Sequence, residues 1–308
     1  MTRTRWLQEY GVYLAVAGLF AFNLLFTENF VSAANFRTQL LQAAPVCIVA
    51  LGMALVIGTE GVDLSVGAVM ALSAALIPLY LGYGPLLAVL VALVVGLAAG
   101  LFNGFLVAQL GIQPIVATLG LLVGGRGLAL VIAEGKLVEV RSPEFLSLGN
   151  GDVLGIPVSV LVAAVLAVGV GLLVQRTTFG RQLVAIGGNR SASALAGLPV
   201  KRVLIGVYAI CGVLAGVAGV LATARLGASD PADIGLLMEL SAITAVVVGG
   251  TPLTGGRVRV FGTVMGAVLM QLVRATLIKH DLPDSATQMV QAAIIIAAVY
   301  VARERSTR

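Results

Sequence analysis

The chain reads as an all-α membrane protein, a polytopic helical bundle of about ten transmembrane helices, and three observations predict it. No charged side chain occurs between Leu64 and Gly125. A water-soluble domain could not cover so much apolar surface with so few polar groups. At roughly 20 residues per crossing, that run alone holds about three membrane helices joined by short turns. The composition agrees: 59% of residues are hydrophobic, 11% are charged and mean hydropathy is +1.06. Glycine is abundant, at 38 residues, which suits close helix packing and broken helices in lipid.

Apolar segments place the spans at approximately 10–28, 40–58, 63–81, 86–108, 114–133, 155–174, 203–223, 238–251, 260–278 and 285–302. The first follows Arg3 and Arg5 and is too long for a signal-peptide core, so it reads as a retained helix. Cys47 and Cys211 fall inside apolar segments and read as small buried hydrophobes. Small residues at four-residue steps predict backbone-on-backbone packing: Gly96, Gly100 and Gly104; Gly120 and Gly124; Gly212 and Gly216; Gly262 and Gly266.

Loop charges orient these spans. Arg176, Arg181, Arg190, Lys201 and Arg202 share one loop with no acidic residue, which the positive-inside rule makes cytoplasmic. Asp230 and Asp233 then fall outside, Arg257 and Arg259 inside, and Lys279 to Asp284 outside. Counting backwards puts the acidic stretch from Glu134 to Asp152 outside. Ten spans with both termini cytoplasmic satisfy every loop. The whole of 1–308 is then one transmembrane domain, with 176–202 as its cytoplasmic loop.

Asp63-Leu64-Ser65 opens the third span and Glu239-Leu240-Ser241 the eighth. Five spans separate them, so the halves would be oppositely oriented, an inverted repeat of the kind transporters use. Each acid reads as a cap near the positive end of a helix dipole. The sharper reading adds that both line a permeation route or gate. Glu60 joins the first acidic cluster, as a loop charge or a pathway group. Asn103, Gln113 and Thr118 are polar groups in or beside the fourth and fifth spans. They either hydrogen-bond between helices or face the pathway. Arg126 either snorkels outward or pairs with an acid.

The run Gly249–Arg257 lacks the Gly-Lys-Ser/Thr ending of a phosphate loop and reads as a tight cytoplasmic turn. The chain therefore shows no nucleotide site or cofactor of its own. Aromatics at 6% and an absence of zinc spacing argue against nucleic acid. His280 is the only histidine, so the constellation an intramembrane enzyme needs is missing. In the cytoplasmic loop, Ser191–Ala196 is small and helix-compatible, and Gly197 with Pro199 ends it. A short helix there suits docking into a partner.

Four stretches together resemble the permease subunits of bacterial ATP-binding-cassette sugar importers, of the ribose, xylose and galactofuranose type. They are Glu60–Gly67, Asn103-Gly104 to Gln113-Pro114, Ala185–Asn189 and Ala245–Gly256. The resemblance runs from about residue 40 to 302. Glu60 stands where relatives often carry glycine, and Thr251-Pro252-Leu253 departs from the commoner Gly/Thr-Ser-Leu pattern.

The resemblance implies a non-enzymatic permease of the bacterial inner membrane, embedded in lipid, that translocates a monosaccharide. It implies a second permease chain, a periplasmic sugar-binding protein and a separate ATPase subunit that holds the ATP. The substrate pathway or gate would then draw on Glu60, Asp63, Ser65, Asn103, Gln113, Thr118, Glu239 and Ser241. The segment from Gly180 to Gly197 would couple to the ATPase, through Gly180, Arg181, Gly187, Gly188, Asn189, Ala192, Ala194 and Gly197. The alternative is an ion-coupled secondary transporter for a small polar solute, which the inverted halves and intramembrane acids also fit.

Overall fold

The computed structural model describes residues 3–302 and is predominantly helical, with four two-residue strands. In chain order the helices are α1 (Arg3–Phe26), α2 (Ala33–Gly58), α3 (Val66–Leu81), α4 (Pro85–Ala108), α5 (Pro114–Ile132), α6 (Pro143–Asn150) and α7 (Val158–Arg176). Then follow α8 (Thr178–Gly188), α9 (Arg190–Leu195), α10 (Val200–Leu226), α11 (Met238–Val248), α12 (Val260–Lys279) and α13 (Asp284–Ala302). Local chemistry sets many of these limits. Prolines open α4, α5 and α6, where a missing N–H costs nothing. The side chains of Ser32, Ser142, Thr177 and Asn189 accept from the first turns of α2, α6, α8 and α9.

Among the described residues, six helices (α2, α4, α5, α7, α10 and α12) are long and apolar enough to cross a membrane. Two of them form the centre: 83% of the apolar window of α2 and 72% of that of α10 are buried, against 22% in α5 and in α7. Glycines let α4 lie directly on α10. A Cβ on Gly96 or Gly100 would overlap the carbonyl of Gly212 or Tyr208, and one on Gly104 would press on the Ile205 backbone. Gly262 and Gly266 meet Gly249 and Ala245 in the same way. Gly120 and Gly124 do not follow the expectation: they face open space on the exposed side of α5.

Loop charges collect at two ends. Strand β1 (Val138–Glu139) pairs antiparallel with β4 (Ala228–Ser229), and a tight hairpin joins β2 (Asp152–Val153) to β3 (Ile156–Pro157). Arg37 at the start of α2 bridges Asp152 at 3.2 Å, and Thr27 lies 3.3 Å from His280. These contacts gather the acidic loops at one end. At the other end of α2, about 39 Å away at 1.5 Å per residue, the Gly58 carbonyl accepts from Gly256 N at 3.0 Å. Gly187 packs on the same carbonyl, and Lys201 donates to Gln109 at 3.1 Å. That end carries the basic loops.

Two helices are broken inside this frame. α11 has 11 residues, about 17 Å, which is too short to cross a core of about 30 Å. The expected eighth span is therefore half helix. Residues 230–237, a run of turns after β4, descend beside α3 to reach its start. Ser229 Oγ donates to the Ala74 carbonyl, and Gly235, at φ 77°, meets Gly67 backbone to backbone. From that meeting point α3 runs to the acidic end, where Ile77 packs with Val140 and Phe145. α11 runs to the basic end, where Gly249 packs on Gly262.

Candidate pathway and coupling sites

The first broken helix begins in a turn built on one carboxylate. α2 stops at Thr59, Glu60 takes a left-handed conformation at φ 65°, and the chain turns inward. Asp63 Oδ1 then accepts from Ser65 N at 2.9 Å and Ser65 Oγ at 2.6 Å. Asn103 Nδ2, from α4, donates to Ser65 Oγ at 2.8 Å and reaches Asp63 Oδ1 at 3.5 Å. All three side chains are buried. Thr118 of α5 donates back to Pro114 at 2.9 Å and touches the Val62 carbonyl at 3.4 Å. Asp63, Ser65, Asn103 and Thr118 therefore form one constellation, carried by two helices, α4 and α5, and the turn that precedes α3.

Glu60 and Gln113 stand apart from it. Both are exposed; Glu60 lies at the basic-end junction beside Gly255, and Gln113 precedes α5 without capping it. Sequence reasoning missed Tyr208. Its ring is fully buried, and its hydroxyl lies 2.7 Å from where a Cβ on Gly61 would stand. That hydroxyl and Asn103 Oδ1 are buried without a hydrogen-bond partner. A lone phenol in the Gly/Ala/Val-rich stretch of α10 was the available signal, because a polar group there needs a reason.

Glu239 sits in the first turn of α11 and is 8% exposed; its Oε2 has no partner. It lies against the start of α3, where a Cβ on Gly67 would come within 2.7 Å of that oxygen. Ser241 is half-buried and only contacts the Leu237 carbonyl, at 3.4 Å. Arg126 is hydrogen-bonded to backbone, and among the described residues it makes no salt bridge. Its Nη1 donates to the carbonyls of Pro231, Ala232 and Ile234 at 2.9, 3.3 and 3.3 Å. It thereby fastens the descending segment to α5 while staying within electrostatic reach of Glu239 and Asp233. The two acids thus play unlike parts. Asp63 organises a turn ahead of its helix, whereas Glu239 lies inside its helix with an oxygen unspent.

At the basic end, α8 packs its Leu183 and Ile186 into the core, and the short helix α9 follows it. Gly180 and Gly187, expected to face a partner, instead face inward: a Cβ would overlap the Val174 carbonyl at the first and the Gly58 carbonyl at the second. They seat α8 on α7 and α2. Gly188 is exposed on its own account and lies against Gly256. Asn189 caps α9 by accepting from Ala192 N at 2.8 Å, and Gly197, at φ 80°, ends it. Arg181, Ala192 and Ala194 are exposed, and Leu195 is 91% exposed. A single leucine in a Ser/Ala helix was the sequence signal for that knob.

Residues 35–299 match the family model described as branched-chain amino acid transport system / permease component. The chain is 42% identical to the fructose import permease protein FruF of Bifidobacterium longum over 265 residues, 84% of this chain and 74% of that protein. It is 38% identical to the galactofuranose transporter permease protein YtfT of Escherichia coli, over 86% of this chain and 78% of the relative. To the ribose import permease protein RbsC of Escherichia coli it is 35% identical, over 96% of this chain and 94% of the relative. No solved structure gives a significant match.

Proposed function

The chain belongs to this family of transport-system permease components, and from that premise we propose that it is the membrane subunit of an ATP-driven importer for a monosaccharide. The sugar class follows from the import permeases it resembles, whose names specify fructose, galactofuranose and ribose. The protein makes and breaks no covalent bond. It holds two conformations, each favoured by a different state of its partners.

The basic end faces the cytoplasm, by the excess of Lys and Arg in its loops. The ATPase grips α9 there, and ATP is bound by that partner. The binding protein delivers sugar at the acidic end. A second permease completes the path, and the exposed α5 face with Gly120 and Gly124 suits close helix contact with it. α3 and α11 leave their meeting point in opposite directions, which supports ten membrane segments in two inverted halves. Asp63, Ser65, Asn103, Thr118, Tyr208 and Glu239 form the gate between them.

The observation that carries this reading is α9: a short, capped helix that presents Leu195, 91% exposed, at the end opposite the acidic loops. A secondary transporter has no use for such a handle. The test is Leu195→Asp in proteoliposomes with the ATPase and the binding protein. Sugar-stimulated ATP hydrolysis and uptake should fall at least tenfold, while the variant inserts and melts like the parent. Full activity of the variant, or uptake by the chain without any ATPase, would overturn the assignment.

A further inference from the structure

A cleft of about 670 Å³ lies under α9, and its chemistry is uneven. Three cations line it: Arg190 from α9, and Lys201 and Arg202 from the first turn of α10. Among the described residues no acidic side chain lines it, and none of the three cations is in a salt bridge with one of them. Like charges gathered around a recess repel one another until an anion enters. The floor is apolar, with Ala108 and Leu198.

The surroundings narrow the kind of anion. Ala108 is the last residue of α4, and α4 and α10 are both long and apolar enough to span a bilayer. The cleft therefore sits at the level where two such helices end, which is headgroup depth. On α4, Leu101, Phe105 and Ala108 are spaced four and three residues apart and share one face. Leu101 is 42% and Phe105 48% exposed. An apolar lane thus leads from the charged recess along the helix. α9 turns Arg190, Ser191 and Ala194 to the cleft, while Leu195 does not line it. Its outer side stays available to a partner when the cleft is filled.

We propose that this cleft binds the phosphate headgroup of an anionic phospholipid of the same leaflet, with the acyl chains along the Leu101–Phe105 lane of α4. A lipid there wedges the underside of α9 and fixes its angle to the bundle. The inference rests on the reading of α4 and α10 as membrane-spanning. Free phosphate shares the headgroup chemistry but has no use for the lane.

The test is lipid retention by the full-length chain alone, so its outcome does not depend on ATPase coupling. The chain is placed in nanodiscs of phosphatidylcholine with increasing phosphatidylglycerol, extracted in a neutral detergent, and its bound lipid is weighed by native mass spectrometry. Phosphatidylglycerol should be retained over phosphatidylcholine by about tenfold or more, as three nearby cations would give. Arg190→Gln with Lys201→Gln and Arg202→Gln should erase that preference. Ala194→Glu should do the same by placing a carboxylate among the cations, while leaving the basic loop residues that direct insertion in place. Equal retention of both lipids would overturn the proposal, as would a preference that survives either variant. Displacement of the lipid by millimolar inorganic phosphate would assign the cleft to the free anion and overturn it too.

Discussion

At Asp63 a single carboxylate oxygen accepts two short hydrogen bonds and a longer one, while Glu239 Oε2 accepts none. Substitution should separate the two. Asp63→Ala leaves the Ser65 amide and hydroxyl without their acceptor, and hydrogen bonds to a charged group are worth about 1.5–3 kcal/mol. The variant should melt lower in detergent by an amount of that order. Glu239→Gln removes a carboxylate whose Oε2 has no hydrogen-bond partner but which attracts Arg126, so stability should change by less than in Asp63→Ala, while coupled sugar uptake falls. Unchanged uptake would take Glu239 out of the mechanism, and a melt as low as that of Asp63→Ala would mean that its carboxylate is structurally bonded. Asp63, Ser65 and Asn103 were each legible in the chain as candidates, because polar side chains in or beside an apolar stretch need partners, but their meeting was not. Nor was the inclusion of Tyr208, since only tertiary packing brings α10 against Gly61.

Among the helices, the recurrent glycines divide into those that carry a contact and those that do not. Gly100 carries one: a Cβ there would overlap the Tyr208 carbonyl. Gly100→Ala should force α4 off α10 and cost about 1–3 kcal/mol, read as lost thermal stability of the purified chain. Gly120→Ala and Gly124→Ala meet nothing within 4 Å, and better helix propensity should stabilise each by up to about 1 kcal/mol. If all three variants lose stability alike, the assignment of the α4–α10 seam is wrong. Spacing alone could not sort these glycines, because it marks small residues on one face without saying what that face meets. The same limit explains α11. Its apolar run is continuous with Gly249-Gly250-Thr251, so hydropathy extends the span and conceals that the helix itself has 11 residues and follows the non-helical segment 230–237. Arg126 was visible as an anomaly, but its partners are backbone carbonyls, which have no signature in a sequence.

For the molecule as a whole, charge and topology make one joint claim: the acidic and basic loops lie at opposite ends, and the basic end is inside. Two residues report on it directly. Leu154, at the tip of the β2–β3 hairpin, is 99% exposed at the acidic end, and Leu195 is 91% exposed at the basic end. The native thiols Cys47 and Cys211 are buried, so each engineered cysteine reads against a low background. Leu154→Cys should react with a membrane-impermeant maleimide in intact spheroplasts, and Leu195→Cys only in inside-out vesicles. The reverse pattern would place α9 on the wrong face for an ATPase and undo the coupling assignment. Labelling of both from one side would undo more, because the ends of α2 would then share a compartment across about 39 Å of helix. The expected pattern would tie the two broken helices to their compartments: α3 opens toward the side from which sugar arrives, and α11 toward the side on which energy is supplied. A displacement of α9 by the ATPase would then reach the gate through the Gly58–Gly187–Gly256 junction and the start of α12, since backbone contacts that close leave little slack to absorb it.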